Sequence, residues 1–384
     1  MHFIRIFALF FAVSSAFAQQ PGAARVQSLA AQLAGADRQS RVNALLELKR
    51  MGVEAKGAIP ALTQLLQDPD NELREGAAEA LGKMGIEARS AIAALTGALR
   101  DREARVRSNA SYALGQIGVE AKTAAPALSD LLKDAAPWVR GNAAFALGKI
   151  GEAGGRLPVL IEMLKDPFEN VRKDSAEAIG RIGPAAKSAV PALLLTLKDA
   201  KPSVRRYSAE ALGRIGPEAN AALPALQAAL QDAEFVVRSY SAYALKQIGI
   251  APKEAIPVWT ALLKDKTDHL RSYAADALGE IGPEARVSMP NLIETLKDTD
   301  RFVRVSSARA LGKTGAAPAV PALTQLLQDK ESLVRASAAE ALGRLGAAAK
   351  PALPALVELQ KDSVAMVRLA ADGAITRITA APKP

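Results

Sequence analysis

The feature that most constrains this chain is an arginine that returns about every 33 residues from near one end to the other. It stands at Arg41, Arg74, Arg107, Arg140, Arg172, Arg205, Arg238, Arg271, Arg304, Arg335 and Arg368, with one spacing of 32 and one of 31. Six residues before each of them, the first excepted, stands an aspartate: Asp68, Asp101, Asp134, Asp166, Asp199, Asp232, Asp265, Asp298, Asp329 and Asp362. Eleven residues after the arginine comes a glycine, in ten repeats from Gly52 to Gly346. A fixed period of this length means one supersecondary unit used over and over, so an ordinary division into domains of roughly 150 residues does not apply.

Each repeat reads as two helices. The first runs like Pro191 to Lys198, with proline in the first turn, where a missing N–H costs nothing. The second runs like Val204 to Ile215. Its small and apolar residues Val204, Ser208, Ala211, Leu212 and Ile215 recur at the spacing of one buried stripe. Gly216 then supplies the left-handed residue of a helix C-cap, and Pro217 blocks continuation. A hairpin this short cannot bury its own stripe and must stack on its neighbours. The glycine eight residues after the arginine (Gly213, Gly279, Gly343) and the abundant alanines allow close helix approach. The expectation is therefore an all-α solenoid of about eleven two-helix repeats.

The first eighteen residues match no repeat. Arg5, the apolar run Ile6–Val13 and the Ala16-Phe17-Ala18 site have the make-up of a cleaved export signal. Eight apolar residues are too few to span a bilayer, which needs about 20. The expected organisation is a signal peptide over 1–18 and one continuous solenoid over 19–384. The first repeat (about 22–52) and the last helix (about 363–379) would act as caps. Cleavage removes one arginine and takes the net charge from +9 to +8. The expected location is periplasmic or extracellular.

The Asp-x5-Arg pair, with Val-Arg-x2-Ala-Ala-x-Ala-Leu-Gly-x-Ile-Gly around it, resembles the HEAT repeat, in particular the phycobilisome-lyase HEAT-like subfamily. The likeness covers about residues 22–380. It implies a right-handed α–α superhelix in which Asp and Arg pair within and between repeats as a ladder, while the second helices line a concave face. The first repeat departs from the pattern, since Gly35 stands where the aspartate would be. Because the ladder recurs in every repeat, its expected role is structural, and Arg205→Ala should lower the melting temperature.

Positions that vary between repeats carry the functional expectation. On the second helix these lie two, five and nine residues after the arginine, spaced to share a face. All five tyrosines fall there: Tyr112, Tyr207, Tyr240, Tyr243 and Tyr273. Phe145 shares the stripe, and Trp138, His269 and Phe302 join it two residues before the arginine. Tyrosine and tryptophan combine apolar area with a polar tip, which suits interface hot spots. The stripe is either a recognition surface for a protein partner or a cover for the seams between repeats.

Chemistry is narrowly bounded. There is no cysteine, which removes disulfides, thiolate metal sites and cysteine nucleophiles. The two histidines, His2 and His269, are too few for a histidine-built metal centre. Gly-x-Ser-x-Gly and the phosphate-cradling Gly-x4-Gly-Lys-Ser/Thr are absent. The excess of basic residues raises an anionic polymer, an envelope glycan or nucleic acid, as an alternative partner. Its cations nine residues after the ladder arginine often have an acid four residues earlier, as in Glu177–Arg181, which cancels the field. A lyase activity is suggested only by the subfamily name. The expectation is thus an exported, non-catalytic, monomeric scaffold that needs no cofactor or metal, has no membrane span and binds a protein along its concave face.

Overall fold

The computed structural model describes residues 22–380; the expected export signal lies outside them. Their contacts group into two compact units, 22–249 and 250–380. The first holds seven long second helices, from Arg38–Met51 to Phe235–Ile248, and the second holds four, from Asp268–Ile281 to Ala365–Thr379. No strand occurs among the described residues. Within each unit the long helices stack side by side.

The repeat around Arg205 shows how the sequence builds each hairpin. A 3-10 turn, Gly183–Ala189, leads into a seven-residue helix, Val190–Thr196. Pro191 sits in its first turn as expected, and i→i−3 bonds from Lys198 to Leu195 and from Asp199 to Thr196 close it. The second helix, Pro202–Ile215, starts two residues earlier than the apolar stripe suggests, because Pro202 can occupy the first helical turn. Its stripe is fully internal: Val204, Ser208, Ala211, Leu212 and Ile215 are all buried.

The glycine that ends each second helix differs from expectation. All ten have positive φ, but of the nine that cap a second helix directly only Gly151 and Gly249 take the left-handed helical conformation. Gly216, with φ 72 and ψ −143, lies in a region open essentially to glycine alone. The reason is the next element: the chain enters a 3-10 turn at once, where a left-handed cap would send it elsewhere. The sequence reading missed that turn.

Helix approach is as close as the glycines promise. A Cβ placed on Gly213 would lie 2.9 Å from the Ala244 Cα, and one on Gly180 would lie 2.9 Å from the Ala211 Cα. Backbone meets backbone there, so no side chain at these positions fits without displacing a helix.

Candidate binding face

The arginine–aspartate pairs join repeats through a shared geometry. Arg205 donates from Nε and Nη2 to both carboxylate oxygens of Asp232 in the next repeat, at 2.6 and 2.8 Å. Its Nη1 donates to the Asp199 and Ala200 carbonyls of its own turn, at 2.9 and 3.3 Å. The aspartate in turn accepts from the N–H two residues on, as Asp199 does from Lys201 at 2.9 Å. Side-chain pairing therefore runs between repeats, while the bond within a repeat goes to main-chain oxygen. The same bidentate bridge links Arg74 to Asp101, Arg107 to Asp134, Arg172 to Asp199, Arg271 to Asp298, Arg304 to Asp329 and Arg335 to Asp362. Arg140 places both donors on one oxygen of Asp166. At the first repeat, where the aspartate is missing, Arg41 donates Nε to the Leu33 carbonyl and still reaches Asp68.

The bridges hold the carboxyls charged. Burial alone would raise Asp101, Asp134, Asp199, Asp298 and Asp329, yet hydrogen bonds from the facing arginine and a turn N–H bring each below the ordinary range. At Asp232 and Asp362 the arginine bond is itself the leading cause.

The stripe of variable residues sorts into three kinds of contact. The position two after the arginine reaches back to the preceding repeat. Asn109 donates to the Glu75 carbonyl at 3.3 Å, Asn142 to Ser108 Oγ at 2.8 Å, and the Tyr240 hydroxyl accepts from Arg206 Nη2 at 2.8 Å. Tyr273, in the second compact unit, instead meets the buried Trp259 of its own repeat's first helix, edge-on at 5.9 Å. Trp259 is an aromatic anchor that sequence reasoning did not single out.

The positions five and nine after the arginine lie over the glycine of the preceding second helix. Tyr112, Phe145 and Tyr243 have ring atoms 3.3, 3.0 and 3.2 Å from where Cβ atoms on Gly82, Gly115 and Gly213 would be. Where an aromatic is absent, the cation does the covering. The Arg181 and Arg214 stems lie against Gly148 and Gly180, and their heads are held by Glu177 and Glu210, each at 2.7 Å. Glu79 holds Lys83 in the same way at 3.2 Å, whereas Glu340 and Arg344 form no pair among the described residues. The cationic line is in large part glycine cover. Tyr112 also stacks on Phe145 at 5.8 Å.

The positions two before the arginine lie at the start of the second helix, one turn ahead of the position two after it. Trp138, His269 and Phe302 stand at the N-terminal ends of their helices, and Trp138 and Phe302 are 53% and 49% exposed. Phe168 and Phe235, one or two residues further back, are equally exposed at the same rim. They were missed because they sit just outside the regular helical spacing.

Arg206 is a further residue the sequence did not flag. Its guanidinium carbon lies 4.4 Å from the Tyr207 ring centre and 4.5 Å from that of Tyr240. An Arg-Arg-Tyr run, where most other repeats carry a small or aliphatic residue and the repeat before carries Lys173, was the available signal. One further carboxyl is unusual: burial raises Asp174 above the ordinary range, opposed by Lys173 at 3.2 Å. Among the described residues no cluster of His, Asp and Glu could hold a metal ion. No described helix is long and apolar enough to cross a membrane.

Comparison with known proteins bears on the fold. The profile of HEAT repeats matches residues 26–115, 92–156, 157–246, 223–289 and 289–375. No curated protein matches the chain. A solved engineered protein is 23% identical, with 93% of this chain and 99% of that one covered and a TM-score of 0.52. A chain from the complex in which Kap95p binding induces the switch loops of RanGDP to adopt the GTP-bound conformation is 15% identical, with 94% and 55% covered and a TM-score of 0.58. One from a Kap95:Nup1 complex is 14% identical, with 94% and 56% covered and the same TM-score. The chain spans about half the length of the chains it matches in those two complexes.

Proposed function

The chain belongs to the HEAT-repeat family, and from that premise we propose that it is a non-catalytic scaffold that binds a protein partner along the face formed by its second helices. The observation that carries this reading is a set of aromatic side chains left half exposed on helices that are otherwise locked. Trp138 and Phe302 project at the rim, and Tyr112 and Tyr243 keep 39% and 37% of their area accessible. Helices bridged on both sides lose little freedom when a partner lands on them, so less of the contact energy is consumed by ordering. Aromatic anchors of this kind carry most of the affinity in protein interfaces. In the Kap95p–RanGDP complex, a solenoid of similar fold takes part in protein recognition.

The charged pairs recur with the scaffold, so no acid and base stand apart from it as a catalytic couple. Export of a monomer to the periplasm or beyond is part of the same proposal, supported by the leader-like first eighteen residues. So is kinship with the phycobilisome-lyase subfamily, supported by the motif around each arginine. An anionic polymer is the weaker partner, because Lys83, Arg181 and Arg214 are tied to carboxylates, and the two arginines also cover glycines.

The test is capture from an extracytoplasmic fraction on the immobilised full chain. The Trp138→Ala/Phe302→Ala variant removes two rim aromatics that bridge nothing. It should lose captured protein by about tenfold while melting as the wild type does. Equal capture by both proteins, or recovery of glycan or nucleic acid instead, contradicts the reading.

A further inference from the structure

Two buried polar atoms without a hydrogen-bond partner lie one helical turn apart on Pro202–Ile215: Arg206 Nε and Glu210 Oε2. The two side chains approach to 3.6 Å, an ion pair without a hydrogen bond. Buried polar groups in native structures are nearly always satisfied, and clustered exceptions need a reason. A surface arginine pointing to water would raise no such question. This one lies over two tyrosine rings, is tied by Nη2 to the Tyr240 hydroxyl, and keeps Nη1 unburied and without an acceptor among the described residues.

We propose that Arg206 is a preset anchor for a carboxylate on the protein partner. Stacking against tyrosine fixes the guanidinium plane, so the rotamer freedom an arginine ordinarily loses on binding is already lost. With Nε buried and Nη2 held by Tyr240, the end of the planar fork left open is Nη1, which suits an oxygen of a carboxylate, on an acidic side chain or a chain terminus. On Pro202–Ile215 the neighbouring guanidiniums are already committed, Arg205 to Asp232 and Arg214 to Glu210, which leaves Arg206 with the open donor on this helix. Glu210 stands close enough to disfavour a doubly charged phosphate, which turns the choice toward a singly charged group. This inference rests on the protein-binding reading above and names the chemistry of the partner at one point of its surface.

The experiment uses the full chain with two synthetic peptides that differ only in glutamate against glutamine at the same positions, and a single-stranded DNA of similar charge. The glutamate peptide should bind the wild type about tenfold more tightly than the glutamine peptide. Arg206→Lys keeps the charge but loses the fork and the stacking, and should erase most of that preference. Tyr240→Phe keeps the ring and removes only the hydroxyl that orients Nη2, and should erase part of it. Both variants lie outside the Arg–Asp bridges, and unchanged melting curves confirm that folding is intact. Equal binding of the two peptides, binding of neither, an unaltered preference in Arg206→Lys, or tighter binding of the DNA overturns the proposal. The two levels fail separately: a partner lost from Trp138→Ala/Phe302→Ala but kept by Arg206→Lys leaves the scaffold reading standing and removes this one.

Discussion

At the scale of single residues the arginine decides most of the structure. One guanidinium closes its own turn and grips the next repeat, so a side chain supplies the continuity that a hydrophobic core supplies in a globular domain. Such bridges are costly to break from one side, because the abandoned charge stays half buried. They also set a pH dependence. The bridged aspartates have pKa values held below those of the unfolded chain, so they stabilise the fold fully above the unfolded value and lose that contribution as pH falls through the folded values. At pH 7 the contribution is complete. Below about pH 4, where unfolded aspartates take up protons, it declines. Urea midpoints should therefore drop between pH 6 and pH 3. An Asp232→Asn variant, already lacking one charged bridge, should start lower and drop less. A wild-type midpoint that does not move over this range would mean the bridges contribute nothing to folding.

At the scale of elements the seam between neighbouring second helices is made by glycine against alanine and covered by whatever long side chain is at hand. Gly213→Ala puts a methyl 2.9 Å from the Ala244 Cα and should destabilise by about 1–3 kcal/mol, the usual range for overpacking. A gain in stability, as expected from helix propensity alone, would show that the helices can separate freely. Repeat length, helix pairs and buried stripe were legible in the sequence, since each depends on a spacing that recurs many times. The Asp–Arg pairing came only with the likeness to the HEAT repeat, which implied pairs within repeats too, where Arg205 donates to main-chain oxygen instead. The 3-10 turn after Gly216 was not, because a glycine followed by proline signals only that the helix stops. The role of Tyr243 was legible only in part. Its position on the face followed from periodicity, but its cover of Gly213 depends on how far two helices approach, which no single repeat encodes. Arg206 escaped for the same reason: its meaning comes from Tyr240, a full repeat away.

At the scale of the whole molecule each repeat owes its stability to the ones beside it. Such an array behaves as a row of nearest-neighbour couplings, and damage at one seam should spread to both sides before fading along the row. Freed from that duty, the rim aromatics and Arg206 can vary without unfolding anything, which is why recognition is placed there. The direct test is amide hydrogen exchange on the full chain carrying Arg205→Ala, a change expected to cost roughly 3 kcal/mol. Protection should fall together in Pro202–Ile215, which carries the lost arginine, and in Phe235–Ile248, whose preceding turn holds the abandoned Asp232. Protection lost from Pro202–Ile215 alone, with Phe235–Ile248 unchanged, would mean each hairpin stands by itself, against the central claim.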